Sequence, residues 1–204
     1  MSTIKKINII NYNLSNIFSI YNAIKKIGYQ ANIINDYKLI QDSDLIVLPG
    51  TGSYAEAMKI LKTKNIDTKL EQYIKNGKPF LGICLGFQLL FSDSQEIKKT
   101  EGLKIFTSKI KKIGNRSTFN IGWRNVHFKN NSLGIKKNYY YFVHGYYADI
   151  NKSEKKMINS YIDFDKKKVC SSISIDNIFA TQFHPEKSGK QGLKFLDKVI
   201  KSFK

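Results

Sequence analysis

The stretch Phe80-Leu81-Gly82-Ile83-Cys84-Leu85-Gly86-Phe87-Gln88-Leu89-Leu90-Phe91 decides how the rest of the chain is read. Its first four residues are expected to form a buried strand, and an apolar helix is expected from Phe87. Between them stands a cysteine with glycine two positions before and two positions after. A nucleophile on a tight strand-to-helix turn needs small residues at both places, because a Cβ there would meet neighbouring backbone. With 13 glycines in 204 residues, such a double flank arises by chance for roughly 0.4% of cysteines. The bend sets the sulfur at a helix N-terminus, where the dipole and free N–H groups favour a thiolate and can hold a developing oxyanion. Cys84 is therefore a candidate nucleophile. Cys170 has no such frame and is expected in the core.

Upstream, Ile7-Asn8-Ile9-Ile10 forms a short strand, and Ile17, Ile20, Tyr21, Ile24 and Ile27 share a helical face that ends at Gly28. Ala31 to Ile34 makes a second strand, and Leu45 to Leu48 a third that halts at Pro49-Gly50-Thr51-Gly52. Residues 53–63 and 67–76 are expected to be helical, the second capped by Asp67 and closed by Gly77. This alternation implies an α/β fold whose mostly parallel sheet carries helices on both faces. Beyond residue 92 the pattern changes. Segments around 126–128, 139–143, 157–164, 169–175 and 178–183 are β-rich, with a turn at Lys166-Lys167-Lys168, and suggest an antiparallel extension of the same core. A last helix, 189–203, aligns Leu193, Leu196, Ile200 and Phe203. With no repeat or linker, residues 1–204 are expected to be one domain.

Composition narrows the function. The net charge of +18 rests on scattered lysines with only Arg116 and Arg124 as arginine, which is a poor nucleic-acid reader because base recognition favours arginine forks. The longest apolar run, 79–91, is too short to cross a bilayer. No signal peptide is visible in the first residues, and two cysteines supply no disulfide framework, so the expected setting is the cytoplasm.

A thiol nucleophile needs a base, and the histidines are His127, His144 and His184. His184-Pro185-Glu186 stands out. Proline holds the residue before it extended, and residues two apart on an extended chain project to one side, so Glu186 is expected beside His184 to fix its tautomer. His127 falls in an alternating strand and is expected to be structural. Pro49-Gly50-Thr51-Gly52 ends a central strand where ligands gather in parallel sheets, and its backbone can offer half of an oxyanion hole.

Taken together, these residues resemble the class I (triad) glutamine amidotransferases over nearly the whole chain. The elbow and His-Pro-Glu mark the class. Leu48 to Ser53, Gly122-Trp123, Tyr141 to Tyr147 and Gln182 to Gly189 are similar to the glutaminase subunits of imidazole glycerol phosphate synthase, the branch of the class that serves histidine biosynthesis. The resemblance implies a three-layer, flavodoxin-like fold and hydrolysis of L-glutamine by Cys84, His184 and Glu186, with no cofactor or metal. It implies an oxyanion hole from the N–H groups of Leu85 and, after a partner-induced rearrangement, Gly52. It further implies glutamine contacts at Gly50, Thr51, Gln88, Glu96, His144, Gly145 and Tyr146. Ammonia would pass to a (β/α)₈-barrel cyclase in a heterodimer whose interface includes Asn13, Asn16 and Trp123.

The chain departs from the family pattern at three places. Relatives carry Asp-Tyr-Gly-x-Gly-Asn where this chain has Asn11-Tyr12-Asn13-Leu14-Ser15-Asn16, and Pro-His-Met-Gly-Trp-Asn where it has Phe119-Asn120-Ile121-Gly122-Trp123-Arg124; Thr51 also replaces a usual valine. These departures open one alternative pathway, a glutaminase feeding a sugar amidotransferase of surface-polysaccharide synthesis. An inactive partner-binding module stays open beside it, as does a cysteine peptidase on the same class of fold, because elbow and base alone do not name the scissile bond.

Overall fold

A computed structural model describes residues 4–203 except 15, 116, 130–132 and 136. The N-terminal residues 1–3, Ser15 of the Asn11–Asn16 segment, and Arg116 thus lie outside the described residues. Strands β1 (Ile7–Ile10), β2 (Ala31–Ile34), β3 (Leu45–Leu48) and β4 (Phe80–Ile83) pair in parallel in the order β2-β1-β3-β4. Every residue of β1, β3 and β4 is buried, as continuous apolar runs covered on both faces should be.

Alternation along these strands feeds two cores. Ile46, Leu48 and Phe80 pack with Met58, Leu61, Leu70 and Tyr73 of helices α2 (Tyr54–Thr63) and α3 (Ile66–Lys75). Leu45, Val47 and Leu81 pack on the opposite face with Ile20 and Ile24 of α1 (Ile17–Lys26) and Phe195 and Val199 of the C-terminal helix, Gly189–Ser202. That helix buries Gly192, Phe195, Leu196, Val199 and Ile200, so its inward face is turned from the one expected, with Leu193 and Phe203 at its margin. Gly28 and Gly77 end α1 and α3 with positive φ, and the next residue's N–H bonds back to Ile24 and Tyr73, closing each helix by a Schellman turn. Asp67 does not cap α3: the helix starts at Ile66 behind a left-handed Asn65.

Downstream of a one-turn helix α4 (Leu85–Gln88), the short β5 (Asp93–Ser94), β6 (Thr100–Glu101), β7 (Lys109–Lys112) and β10 (Tyr146–Asp149) form a separate four-stranded sheet. Sequence reading missed it because these strands are short and largely polar, with Ile110 and Ala148 as their main apolar anchors. The main sheet continues through β13 (Ile178–Thr181), β12 (Lys167–Ile175), β11 (Ile158–Phe164), β8 (Asn120–Phe128) and β9 (Lys137–His144). β13 is parallel to β4, so the antiparallel extension begins one strand later than expected, at β12. The β11–β12 hairpin turns at Asp165 and Lys166, both with positive φ, while Lys167 and Lys168 already belong to β12.

Candidate active site

Cys84 follows β4 with φ +54° and ψ −103°, a backbone state that L-residues rarely adopt. The glycines on either side permit it. A Cβ on Gly82 would lie 2.8 Å from the Gly86 carbonyl oxygen, and one on Gly86 would lie 1.8 Å from that of Leu48. The expected helix from Phe87 begins at Leu85 instead and lasts one turn, so its dipole is small. Its first N–H is also engaged, because Leu85 donates to the Gly50 carbonyl at 3.4 Å.

His184 arrives from the end of β13. Its N–H bonds the Tyr141 carbonyl of β9 at 2.9 Å, and Ser188 Oγ donates to its own carbonyl at 2.6 Å, pinning the residue to the sheet edge. His184 is extended as expected, but Pro185–Lys187 coil into a 3₁₀ turn. Glu186 therefore reaches the imidazole by folding back, not by strand alternation. Nδ1–H of His184 donates to Glu186 Oε1 at 2.7 Å, and both side chains are buried.

Burial alone would push the His184 pKa down. The negative charge of the Cys84 sulfur, followed by Glu186, outweighs it and raises the value to about 10. Nε2 forms no hydrogen bond of ordinary geometry among the described residues, so its coupling to the sulfur is chiefly electrostatic. The structure thus brings together Cys84, His184 and Glu186 from segments a hundred residues apart.

The remaining expected site residues divide. Gln88 is buried and its Nε2 donates to the Tyr146 carbonyl and to Gln182 Oε1, each at 3.0 Å; Gln182 Nε2 in turn lies 3.8 Å from Cys84 Sγ. Glu96 accepts the N–H of Tyr54 at 2.6 Å, satisfying the start of α2, and lines a cleft of about 780 Å³ with Tyr146 and Lys112. Tyr146 donates to the Glu96 carbonyl, while Gly145 leaves the space that Lys112 and Phe119 occupy. His144 is held between Asn120 and the Tyr146 carbonyl, and burial lowers its pKa to about 4.

Gly50 packs so tightly under Tyr12 that a Cβ would lie 2.1 Å from the phenol oxygen. The Thr51 N–H is tied to the Leu14 carbonyl at 2.7 Å, and Gly52 has φ +94°. Asn16, Gly50 and Thr51 border a narrow slot beside His184 and Glu186. Asn13, left-handed at φ +68°, and Trp123, half exposed, stand outside it.

His127 stacks on Tyr161, and Cys170 is buried with its thiol pushed up to about 12, so neither joins the site. Sequence reading gave no role to Gln182, Asn120 or Tyr12. Gln182 had a signal in its place two residues before His184.

A thiol beside an imidazole–carboxylate pair, at the carboxyl ends of parallel strands, is the arrangement that a cysteine nucleophile requires. A family model described as "Glutamine amidotransferase class-I" matches residues 8–201, and the chain belongs to that family. It is 41% identical over 196 residues to the "Imidazole glycerol phosphate synthase subunit HisH" of Caldanaerobacter subterraneus subsp. tengcongensis, covering 93% of this chain and 95% of that relative. The protein of the same name from Pyrococcus furiosus is 40% identical, with 94% and 96% covered. Among solved structures, "PurLQS from Thermotoga maritima" superposes with a TM-score of 0.74 at 19% identity, covering 98% of this chain and 99% of that one, a likeness of fold. Among the described residues no helix is long and apolar enough to cross a membrane.

Proposed function

We propose that this chain is the glutaminase subunit of an imidazole glycerol phosphate synthase: one catalytic domain that hydrolyses L-glutamine in the cytoplasm and delivers ammonia to a (β/α)₈-barrel cyclase for histidine biosynthesis. The lyase step belongs to the partner. The observation that carries the reading is the convergence of Cys84 and Glu186 on His184 in a chain of this family. The Cys84 sulfur attacks the carboxamide carbon while the carbonyl oxygen takes up the negative charge. His184, protonated and steadied by Glu186, gives its proton to the departing ammonia, and the remaining thioester is cleaved by water to glutamate.

The oxyanion donors would be the N–H groups of Leu85 and Gly52. In the isolated chain the Gly50 carbonyl occupies the Leu85 N–H, which supports a resting state of low activity. Freeing that donor requires the 50–51 peptide to turn, and Thr51 is held by Leu14, between the interface candidates Asn13 and Asn16. A barrel pressing on this loop therefore has a mechanical route to the oxyanion site. Docking is also favoured by Phe119, Ile121, Trp123, Tyr139 and Val143, exposed apolar side chains on or beside β8 and β9.

The test is Cys84→Ala assayed with the cyclase subunit. Ammonia release from glutamine is expected to vanish while synthesis from added ammonium salt persists. Surviving glutamine hydrolysis would overturn the assignment.

A further inference from the structure

We propose that Gln182 is a positioning residue that aims and steadies the Cys84 sulfur through its side-chain amide, at the end of a polar chain that begins at Arg124 on the exposed strand β8. The proposal rests on the reading of Cys84 as nucleophile. Arg124 Nε donates to Asn120 Oδ1 at 2.8 Å, and Asn120 Nδ2 lies 2.8 Å from His144 Nε2. His144 Nδ1 meets the Tyr146 carbonyl at 2.7 Å, and the same carbonyl accepts from Gln88, whose other N–H goes to Gln182 Oε1. Gln182 then presents its own amide N–H to the sulfur at 3.8 Å.

Every donor in this chain is fixed. Arginine has no acceptor, so Asn120 must turn its oxygen to Arg124 and its NH₂ to His144. His144 must then accept at Nε2 and carry its proton on Nδ1, which suits a ring kept neutral by burial. Gln88 spends both N–H groups, which leaves Gln182 only one orientation, with its oxygen to Gln88 and its nitrogen to the sulfur.

Asn120, His144, Gln88 and Gln182 are all buried, so an amide turned the wrong way would leave an unpaired polar atom, a cost of about 1–3 kcal/mol. The contact at 3.8 Å is weak to a thiol and strengthens as the sulfur takes negative charge. Arg124 also holds the carbonyls of Ile121 and Trp123, the strand whose outward side chains are exposed.

The experiment follows the pH midpoint of iodoacetamide alkylation, mapped by mass spectrometry to Cys84, in the full chain. Cys170 serves as an internal control for folding. The other titrating groups near the sulfur, His184 and Tyr12, are left intact. Gln182→Met keeps the length and removes the donor; it should move the Cys84 midpoint upward and slow alkylation about tenfold at pH values below the midpoint, with Cys170 still protected. Gln182→Glu should shift it further in the same direction. Arg124→Met should give a smaller shift, and Arg124→Met combined with Gln182→Met should match Gln182→Met alone, because both act through one chain.

With the cyclase subunit present, Gln182→Met should lower kcat for glutamine and leave KM nearly unchanged. An unmoved Cys84 midpoint in Gln182→Met, or fully additive shifts in the double variant, would overturn the proposal. Alkylation reports on the sulfur whether or not it attacks glutamine, so that failure is separate from glutamine hydrolysis surviving in Cys84→Ala, which would overturn the nucleophile instead.

Discussion

At Cys84 a strained backbone, φ +54°, is held by two glycines, and the sulfur is one of the groups that raise the pKa of His184. Removing that sulfur should therefore show at His184. In Cys84→Ala the His184 titration, followed by NMR, should fall from about 10 toward the ordinary histidine range; an unchanged titration would mean that Glu186 alone holds the proton. His144 behaves in the opposite sense. Burial depresses its folded value to about 4, below the unfolded value, so the stability it contributes is complete above about pH 6.5 and is lost as pH falls toward 4. Across that window the chain should lose roughly 1.4 kcal/mol per pH unit through this one group, and in His144→Gln that part of the slope should disappear from denaturant midpoints measured against pH. The candidate residues Cys84, His184 and Glu186 were legible because their types sit in frames that physical chemistry restricts, the glycine-flanked elbow and the proline-held histidine. Gln182 and Asn120 were not, because an amide's role depends on which neighbours fix its orientation, and those come from other elements.

Among the elements, the strand–elbow–helix arrangement of β4 and α4 is the least tolerant. Gly86→Ala would drive a Cβ into the Leu48 carbonyl at the end of β3, an overpacking against backbone that should cost about 3 kcal/mol or more. Gly28→Ala has open space around it and only the positive φ to oppose it, so its cost should be about 1–2 kcal/mol. Urea denaturation of the two variants checks the ranking, and equal losses would contradict it. The parallel half was legible because β1, β3 and β4 are apolar throughout and the helices between them carry clear 3.6-residue faces. The small sheet of β5, β6, β7 and β10 escaped detection because strands of two to four mostly polar residues have too little periodicity to display. The parallel pairing of β13 with β4 could not be read locally, since direction is set by the partner strand and not by the strand's own pattern.

For the molecule as a whole, the site lies between a closed interior and an apolar edge. The Leu85 N–H is occupied by the Gly50 carbonyl, and Trp123 stands edge-on to Tyr141, the residue whose carbonyl holds His184 in place. Docking on that face and activity at the sulfur should therefore be coupled. Trp123→Ala is expected to weaken association with the cyclase at least tenfold in a titration of the two subunits, about 1.4 kcal/mol or more, with the thermal unfolding of the isolated chain little changed. Wild-type affinity in this variant would exclude the β8–β9 face as the docking surface. The isolated chain should hydrolyse glutamine slowly and speed up when the cyclase and its substrate are added. The most direct test of the central claim is covalent capture with a glutamine analogue that carries a diazoketone in place of the carboxamide, applied to the complex and read by peptide mass spectrometry. The predicted result is one adduct, on Cys84, prevented by excess glutamine and absent from Cys170; an adduct elsewhere, or labelling indifferent to glutamine, would contradict the assignment.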